Sequence, residues 1–377
     1  MIYFLADFGY FDSDSEYDNY QKLKKLSSNI ISNFKKKNND NDTTENNDIL
    51  LLGGDNFYHN GLNEMNYESY SDNYLDCFGS ISSSTYAILG NHDYLGNTHY
   101  QLTGYNRNSN IPNLSLFNMD NRYYKLQYQN FDIYMLDTCL INPHNGMKIY
   151  NIVGQYNDYI TKYKEDNEFY NFKNANDFIN IKRRELLTWL DTELHKSKMD
   201  FRNIIICGHY PLLTYGMYSD CNYNNPLFLY LIPLILKHDV KLYISGHDHV
   251  SQIQTLNIKN IKTIYNRQFI PNIFDKEIID ILVPNLTDLL NNSNNYYLYN
   301  IVSGACLDNY YSNKYYLKDY EIDCTMNYDN DKMLNLYLRL NIVSNDKIIV
   351  EFLHNNINEH SDNPETQFIE YRFLLNF

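Results

Sequence analysis

Val240-Lys241-Leu242-Tyr243-Ile244-Ser245-Gly246-His247-Asp248-His249 decides how the rest of the chain is read. An apolar run stops at a glycine, and two imidazoles follow at alternate positions. A continuous apolar run bounded by a turn is the signature of a strand buried on both faces. Alternate residues at a strand end point the same way, so His247 and His249 can face one cluster with Asp248 between them. The pattern recurs. Ile2 to Ala6 stops at Asp7, Ile49 to Leu52 at Gly53-Gly54-Asp55, Tyr86 to Leu89 at Gly90-Asn91-His92-Asp93, and Asn203 to Cys207 at Gly208-His209. In open α/β sheets ligands bind outside the carboxyl ends of the strands. Five such ends, each delivering Asp, Asn or His, imply one convergent site.

Between these runs the spacing predicts helices. Leu23, Leu26, Ile30 and Ile31 share a face in the stretch from Tyr17 to Phe34, and Leu186, Leu187, Leu190 and Leu194 do so in Ile181 to Met199. Pro226 to Lys237 is apolar nearly all round and reads as a buried helix. Alternating strands return at the end, with Leu334 to Ile342, Ile348 to Leu353 and Phe368 to Leu374 read as a closing meander. The chain is expected to be one domain over residues 1–377, with insertions at 142–180 and 256–298. The Asn-rich tracts Asn38 to Asn47 and Asn291 to Asn295 read as solvated loop filling.

The donors at the strand ends suit metal chemistry. Two neighbouring cations need a bridging carboxylate, enough N and O ligands for both, and open positions for water and a phosphate oxygen. Asp7, Asp55, Asn91, His209, His247 and His249 offer two carboxylates, an amide oxygen and three imidazoles. Gly9, Gly54, Gly90, Gly208 and Gly246 beside them permit tight turns and close backbone approach.

Taken together, Asp7-x-Gly9, Gly54-Asp55-Asn56-Phe57-Tyr58, Gly90-Asn91-His92-Asp93, Gly208-His209-Tyr210-Pro211 and Gly246-His247-Asp248-His249, followed by Ser303-Gly304-Ala305, resemble the blocks of the purple (tartrate-resistant) acid phosphatases. These belong to the calcineurin-like metallophosphoesterase superfamily. Most of that superfamily begins Asp-x-His with the His as a ligand. Here Gly9 takes that place, and Tyr58, three residues after Asp55, fills the compensating position characteristic of the purple enzymes. The resemblance implies an α/β fold, a four-layer α/β/β/α sandwich built from two βαβαβ-like halves. It implies Fe(III) held by Asp7, Asp55, Tyr58 and His249, and a divalent Fe, Zn or Mn held by Asp55, Asn91, His209 and His247, two ions per chain bridged by Asp55. It implies hydrolysis of phosphate monoesters by a metal-bound hydroxide, with the catalytic His92 contacting the phosphate or protonating the leaving alkoxide.

One departure stands out. The family carries a second histidine shortly after Gly-His-Tyr-Pro, about where Tyr218 stands, and Leu212 to Asp220 holds none. Proton donation then falls to His92, with Tyr215 or Tyr218 as weaker donors, while His59 is an additional imidazole beside Tyr58. His99, His144, His195, His238, His354 and His360 read as surface or packing residues. Two other readings compete: a phosphodiesterase or nucleotide phosphatase on the same site, and a non-catalytic phosphatase-fold scaffold or anchor, similar to the anchor proteins of parasite motility complexes.

Composition narrows the partners. With 31 basic and 46 acidic residues the formal charge is −15, which argues against a nucleic-acid partner, whose phosphates need a basic surface. A small phosphoester remains a suitable substrate where a metal supplies the positive charge. The expected form is a monomer with no membrane span, since no run approaches about 18–20 apolar residues. Met1 to Ala6 runs into Asp7 without a basic leader, so the chain as written is expected in the cytoplasm. The resemblance implies a secreted or vesicular protein if the start is processed or incomplete. Cys77, Cys139, Cys207, Cys221, Cys306 and Cys324 are scattered without a CxxC pair, which argues against a zinc ribbon or redox motif and is compatible with one disulfide.

Overall fold

The computed structural model describes residues 1–11, 17–39, 48–102, 116–142, 175–214, 225–267, 275–292, 295–303, 323–326, 336–354 and 368–377. The first half of the fold runs β1 (Ile2–Leu5), α1 (Tyr17–Asn39), β2 (Ile49–Leu52), α2 (Tyr67–Phe78) and β3 (Thr85–Ala87). The three strands are parallel neighbours, so this is one βαβαβ unit. Next comes the hairpin of β4 (Tyr123–Tyr128) and β5 (Phe131–Leu136), then α3 (Ala175–Met199), β6 (Asn203–Gly208), α4 (Pro226–His238) and β7 (Leu242–Ser245). From β5 to β7 the strands are again parallel and joined through helices, giving the second unit. The chain continues through β8 (Gln252–Asn257), α5 (Ile258–Arg267), α6 (Lys276–Leu282), α7 (Leu286–Asn292) and β9 (Tyr297–Val302). It ends with β10 (Asp323–Met326), β11 (Leu336–Ser344), β12 (Lys347–His354) and β13 (Phe368–Asn376).

Two mixed sheets result, one ordered β13-β12-β11-β1-β2-β3 and the other β10-β8-β9-β7-β6-β5-β4. Strand periodicity divides the core. Ile2, Phe4, Ile49 and Leu51 pack with Ile133, Met135, Ile205, Cys207, Leu242 and Ile244 between the sheets. The alternate residues Tyr3, Leu5, Leu50 and Leu52 pack on the outer side with Leu23, Leu26 and Ile30 of α1. Tyr134, Leu136, Ile204 and Ile206 belong to the same outer set as Leu186, Leu187, Leu190 and Leu194 of α3. The architecture is the four-layer α/β/β/α sandwich. Each fully buried Leu or Ile contributes roughly 1.5–3 kcal/mol.

The antiparallel meander β11-β12-β13 extends the first sheet from β1, so the end of the chain completes the sheet that its beginning starts. α4 is terminated at both ends by local chemistry. Asn225 caps it by accepting from Leu227 N–H at 3.0 Å, with Pro226 in the first turn. At the far end Asp239 adopts φ 59°, and Val240 N–H donates back to Ile235. Val240 and Lys241 therefore belong to the turn, and β7 starts at Leu242, not at Val240 as the apolar run predicts. Among the described residues of the stretch expected as an insertion, α5, α6 and α7 precede β9, which lies beside β7. Of the stretch 142–180, residues 143–174 lie outside the described residues, as do Cys221 and Cys306. Cys77, Cys139 and Cys207 are buried free thiols. Among the described residues no helix is long and apolar enough to cross a membrane.

Candidate metal centre

The two parallel units place their strand ends against each other. Asp7 follows β1, Asp55 follows β2, Asn91 and His92 follow β3, His209 follows β6, and His247 and His249 follow β7. The structure brings all of them, with Tyr58, into one cluster. Around the Tyr58 hydroxyl stand Asp55 Oδ2 at 3.0 Å, Asp7 Oδ1 at 3.1 Å and His249 Nε2 at 3.2 Å. On the opposite side of Asp55, Oδ1 lies 3.4 Å from His209 Nε2, which is 3.2 Å from Asn91 Oδ1. Asp55, His209 and His247 present ligand atoms all within 4.8 Å of one another. Asp55 thus stands between two donor groups, one built from Asp7, Tyr58 and His249, the other from Asn91, His209 and His247.

The backbone is specialised to deliver these side chains. Asp7, Asp55, His247 and His249 all have positive φ, at 55°, 52°, 73° and 53°. That region costs an L-residue roughly 1–2 kcal/mol, and such strain collects where the surroundings enforce it. Part of the enforcement is visible. Asp7 Oδ2 accepts from His247 N–H at 2.7 Å, joining the two sheets, and Asp55 Oδ1 accepts from His92 N–H at 2.7 Å. A Cβ on Gly54, whose φ is +91°, would stand 2.7 Å from His209 Nδ1; on Gly246, one would stand 2.6 Å from Asp7 Oδ2.

Hydrogen bonding also selects tautomers. His209 Nδ1 lies 2.9 Å from the Gly53 carbonyl, which can only accept, so Nδ1 carries the proton and Nε2 faces Asp55 and Asn91. By the same logic His92 Nδ1 donates to the His59 carbonyl at 2.7 Å. The His92 ring packs on Tyr58 with centroids 4.5 Å apart, and Tyr10 stacks on Tyr58 at 4.6 Å.

Electrostatics follow from burial. Asp7, Asp55 and His209 are almost wholly buried. Burial opposes ionisation of Asp55, but the His209 imidazole, with His92 and His247 behind it, outweighs that and holds the carboxyl far below its usual range. Burial likewise disfavours the His209 imidazolium, and Asp55 and Asp7 override it and raise the ring's pKa. The Tyr58 phenol is pushed well above its ordinary value by burial, then by Asp55 and Asp7.

These residues fit a cation. The Tyr58 hydroxyl has one proton, yet two carboxylate oxygens stand within hydrogen-bond reach of its oxygen. The acceptor left without that proton calls for a positive charge among the three oxygens. Two carboxylates, a phenol, an amide oxygen and three imidazoles form a mixed O/N donor set suited to iron, zinc or manganese.

Two residues around the site carry no chemical signal of their own in the sequence. Asp93 accepts from the N–H groups of Asn56 at 3.0 Å, Phe57 at 3.2 Å and Gly90 at 2.8 Å, tying the loop after β2 to the loop after β3. Its presence in the Gly90-Asn91-His92-Asp93 block is the only hint. Tyr10 reads as one more tyrosine among 39. His59 lies beside the cluster, edge-on to Tyr10 at 5.6 Å. Tyr215, Tyr218, Gly304 and Ala305 lie outside the described residues, whereas Ser303 is buried and donates its N–H to the Ser245 carbonyl at 2.8 Å.

A two-sheet α/β sandwich with acidic and imidazole side chains gathered at its strand ends is the metallophosphatase fold. The chain belongs to the calcineurin-like phosphoesterase family, whose sequence profile matches residues 1–251. It is 27% identical over 205 residues to a tartrate-resistant acid phosphatase type 5 of Oryctolagus cuniculus, covering 52% of this chain and 53% of that protein. It is 28% identical over 206 residues to purple acid phosphatase 17 of Arabidopsis thaliana, covering 53% and 52%. The chain thus spans about half the length of the curated relatives it matches. In fold it is similar to a solved structure described as GAP50, the anchor in the inner membrane complex of Plasmodium. The TM-score is 0.53 at 16% identity, covering 100% of this chain and 88% of that one.

Proposed function

We propose that this chain is a metal-dependent phosphomonoesterase of the purple acid phosphatase type, a single domain acting on small phosphoesters as a monomer. The observation that carries this reading is the Tyr58 hydroxyl set among Asp7, Asp55 and His249 at 3.0–3.2 Å. Asp7, Asp55, Tyr58 and His249 would hold Fe(III), for which a phenolate is a favourable ligand. Asp55, Asn91, His209 and His247 would hold a divalent Fe, Zn or Mn, with Asp55 shared. When bound, the pair supplies a Lewis acid for the phosphate oxygens and a nucleophile at mildly acidic pH.

The chain's own residues do the rest. Asp55 fixes the separation of the two ligand groups. The Gly53 carbonyl keeps His209 in the tautomer that offers Nε2 to the cluster. His92, held through Nδ1 by the His59 carbonyl, would in its doubly protonated form present Nε2–H to the substrate phosphate or the leaving oxygen. General acid help of this kind contributes about 10²–10⁴ in rate.

A second reading, a non-catalytic scaffold on the same fold, draws on the structural likeness to GAP50, described as an anchor. Metal content separates the two. Metal analysis, a visible spectrum and a phosphoester panel on wild type, Tyr58→Phe and Asp55→Ala test the proposal. Two metals per chain, a visible band lost in Tyr58→Phe and monoester hydrolysis lost in Asp55→Ala are expected. A colourless protein that takes up no metal and hydrolyses nothing sinks the enzyme and leaves the scaffold.

A further inference from the structure

Behind the imidazoles of the second sheet lies a buried polar chain that ends on Asp248. Asn300 of β9 donates through Nδ2 to Gln254 Oε1 at 2.9 Å, across the strand pair in which these residues are opposite. Gln254 Nε2 donates to Gln252 Oε1 at 2.9 Å. Gln252 Nε2 donates to Asp248 Oδ2 and to Thr214 Oγ1, both at 2.9 Å, and the Thr214 hydroxyl itself donates to Asp248. All five side chains are buried.

Geometry forces the direction of this relay. The Leu213 carbonyl, which can only accept, receives Asn300 Nδ2 at 2.9 Å and Gln254 Nε2 at 3.3 Å. Those contacts fix both amides. Gln252 must then turn its oxygen toward Gln254 and its nitrogen toward Asp248. Every donor points down the chain, and the last two, Gln252 Nε2 and the Thr214 hydroxyl, converge on one oxygen, Asp248 Oδ2.

The relay grips the two ligand loops of this sheet together. Leu213 and Thr214 follow Gly208-His209-Tyr210-Pro211 with only Leu212 between. Asp248 lies between His247 and His249, whose φ values of 73° and 53° need external restraint. The Asp248 carboxylate is directed to Thr214 and Gln252, whereas His247 and His249 face the cluster.

We propose that Asp248 is a positioning residue: through Thr214, Gln252, Gln254 and Asn300 it locks His247 and His249, and couples them to the His209 loop, in the arrangement that receives a metal. This rests on the metal reading given above. The test uses the full chain, stripped of metal and titrated with Mn2+ alone, free ion being followed by its EPR signal. Thermal unfolding of the metal-free protein is measured alongside. Asp248→Ala, which removes the oxygen on which both donors converge, is expected to weaken Mn2+ binding about 10–100-fold, the usual effect of losing an outer-sphere partner. Thr214→Val should move it the same way by a smaller factor.

Ser197→Ala supplies the control. Ser197 donates to Asp132 and bonds Tyr134 at the other end of the sheet, so its loss should lower thermal stability and leave Mn2+ affinity within about twofold. Wild-type affinity in Asp248→Ala, at a temperature where it is folded, overturns the inference and leaves the relay a fold-stabilising network only. Should Asp248→Ala not fold, unchanged affinity in Thr214→Val overturns it equally. If His247→Ala and Asp55→Ala also bind Mn2+ like wild type, the metal reading itself has failed and takes this inference with it.

Discussion

Replacing Gly246 with Ala tests how closely the two sheets approach at the site. The new Cβ would stand 2.6 Å from Asp7 Oδ2 and closer still to Ala6 Cβ, whereas ordinary contact begins at 3.4 Å. The overlap with Asp7 is therefore about 0.8 Å. Neither obstacle can swing aside. Ala6 is wholly buried in the core between the sheets, and Asp7 Oδ2 is bonded to His247 N–H at 2.7 Å. Overpacking of this kind costs about 1–3 kcal/mol, and two immovable neighbours put Gly246→Ala at the upper end, about 3 kcal/mol. Urea unfolding of the metal-stripped protein reads this directly. Gly79→Ala is the internal comparison, since its Cβ would meet only Leu75 at 3.6–3.7 Å and its φ is −56°. That variant should gain about 0.4–1 kcal/mol from a stiffer unfolded chain. A Gly246→Ala protein within about 0.5 kcal/mol of wild type would refute the close apposition of β1 and β7 described above.

Three further outcomes follow from the same contacts. Arg202→Ala should cost about 3 kcal/mol in urea unfolding. It strips the guanidinium from Asp132, which is 1% exposed, and removes donors from the carbonyls of Gln129 and Phe131. Asn225→Ala should cost about 2 kcal/mol, because one side chain caps α4 at Leu227 N–H and donates to the Pro211 and Leu212 carbonyls at 3.1 and 2.8 Å. Burial depresses the pKa of His238 below 6.5, with Lys237 and Lys198 assisting, Asp191 opposing and the His195 ring nearby. The unfolded chain then binds the extra proton first, so stability should fall as pH drops below about 6.5, and His238→Asn should flatten that fall in denaturation curves between about pH 7 and 5.

The five strand ends are legible in the sequence because parallel strands covered on both faces need no polar alternation, and a glycine or carboxylate marks where each stops. Other parts of the fold are set by pairings that no local window contains. In the β4–β5 hairpin the residues of β4 are mostly half-buried, and the turn is made by Gln129, at φ 51°, and Asn130 without a glycine signal. β9 reaches its place beside β7 only after β8 and three helices. Gln252 and Gln254 alternate with Ile253 and Thr255 as a solvent-facing edge would, yet both are buried. Their partners, Leu213, Thr214 and Asn300, are 38 or more residues away for one bond and up to 46 for another. A polar alternation cannot reveal which side of a sheet is covered until those distant residues arrive.

The glycines make the link between sequence and site most directly. Read in isolation, a glycine before a ligand signals a turn, and only Gly54 of the glycines before Asp55, Asn91 and His247 has the positive φ that such a reading requires. Steric exclusion accounts for the others. Gly54 makes room for His209 and Gly90 for Asp55, while Gly246 makes room for Asp7. In each case the side chain accommodated belongs to a different strand from the glycine. The absence of a Cβ therefore records contacts between strand ends, two of them across the sheets and one within the first sheet. A short local motif can be legible and still be dictated by long-range geometry, because the space it leaves is occupied by a ligand from another part of the chain.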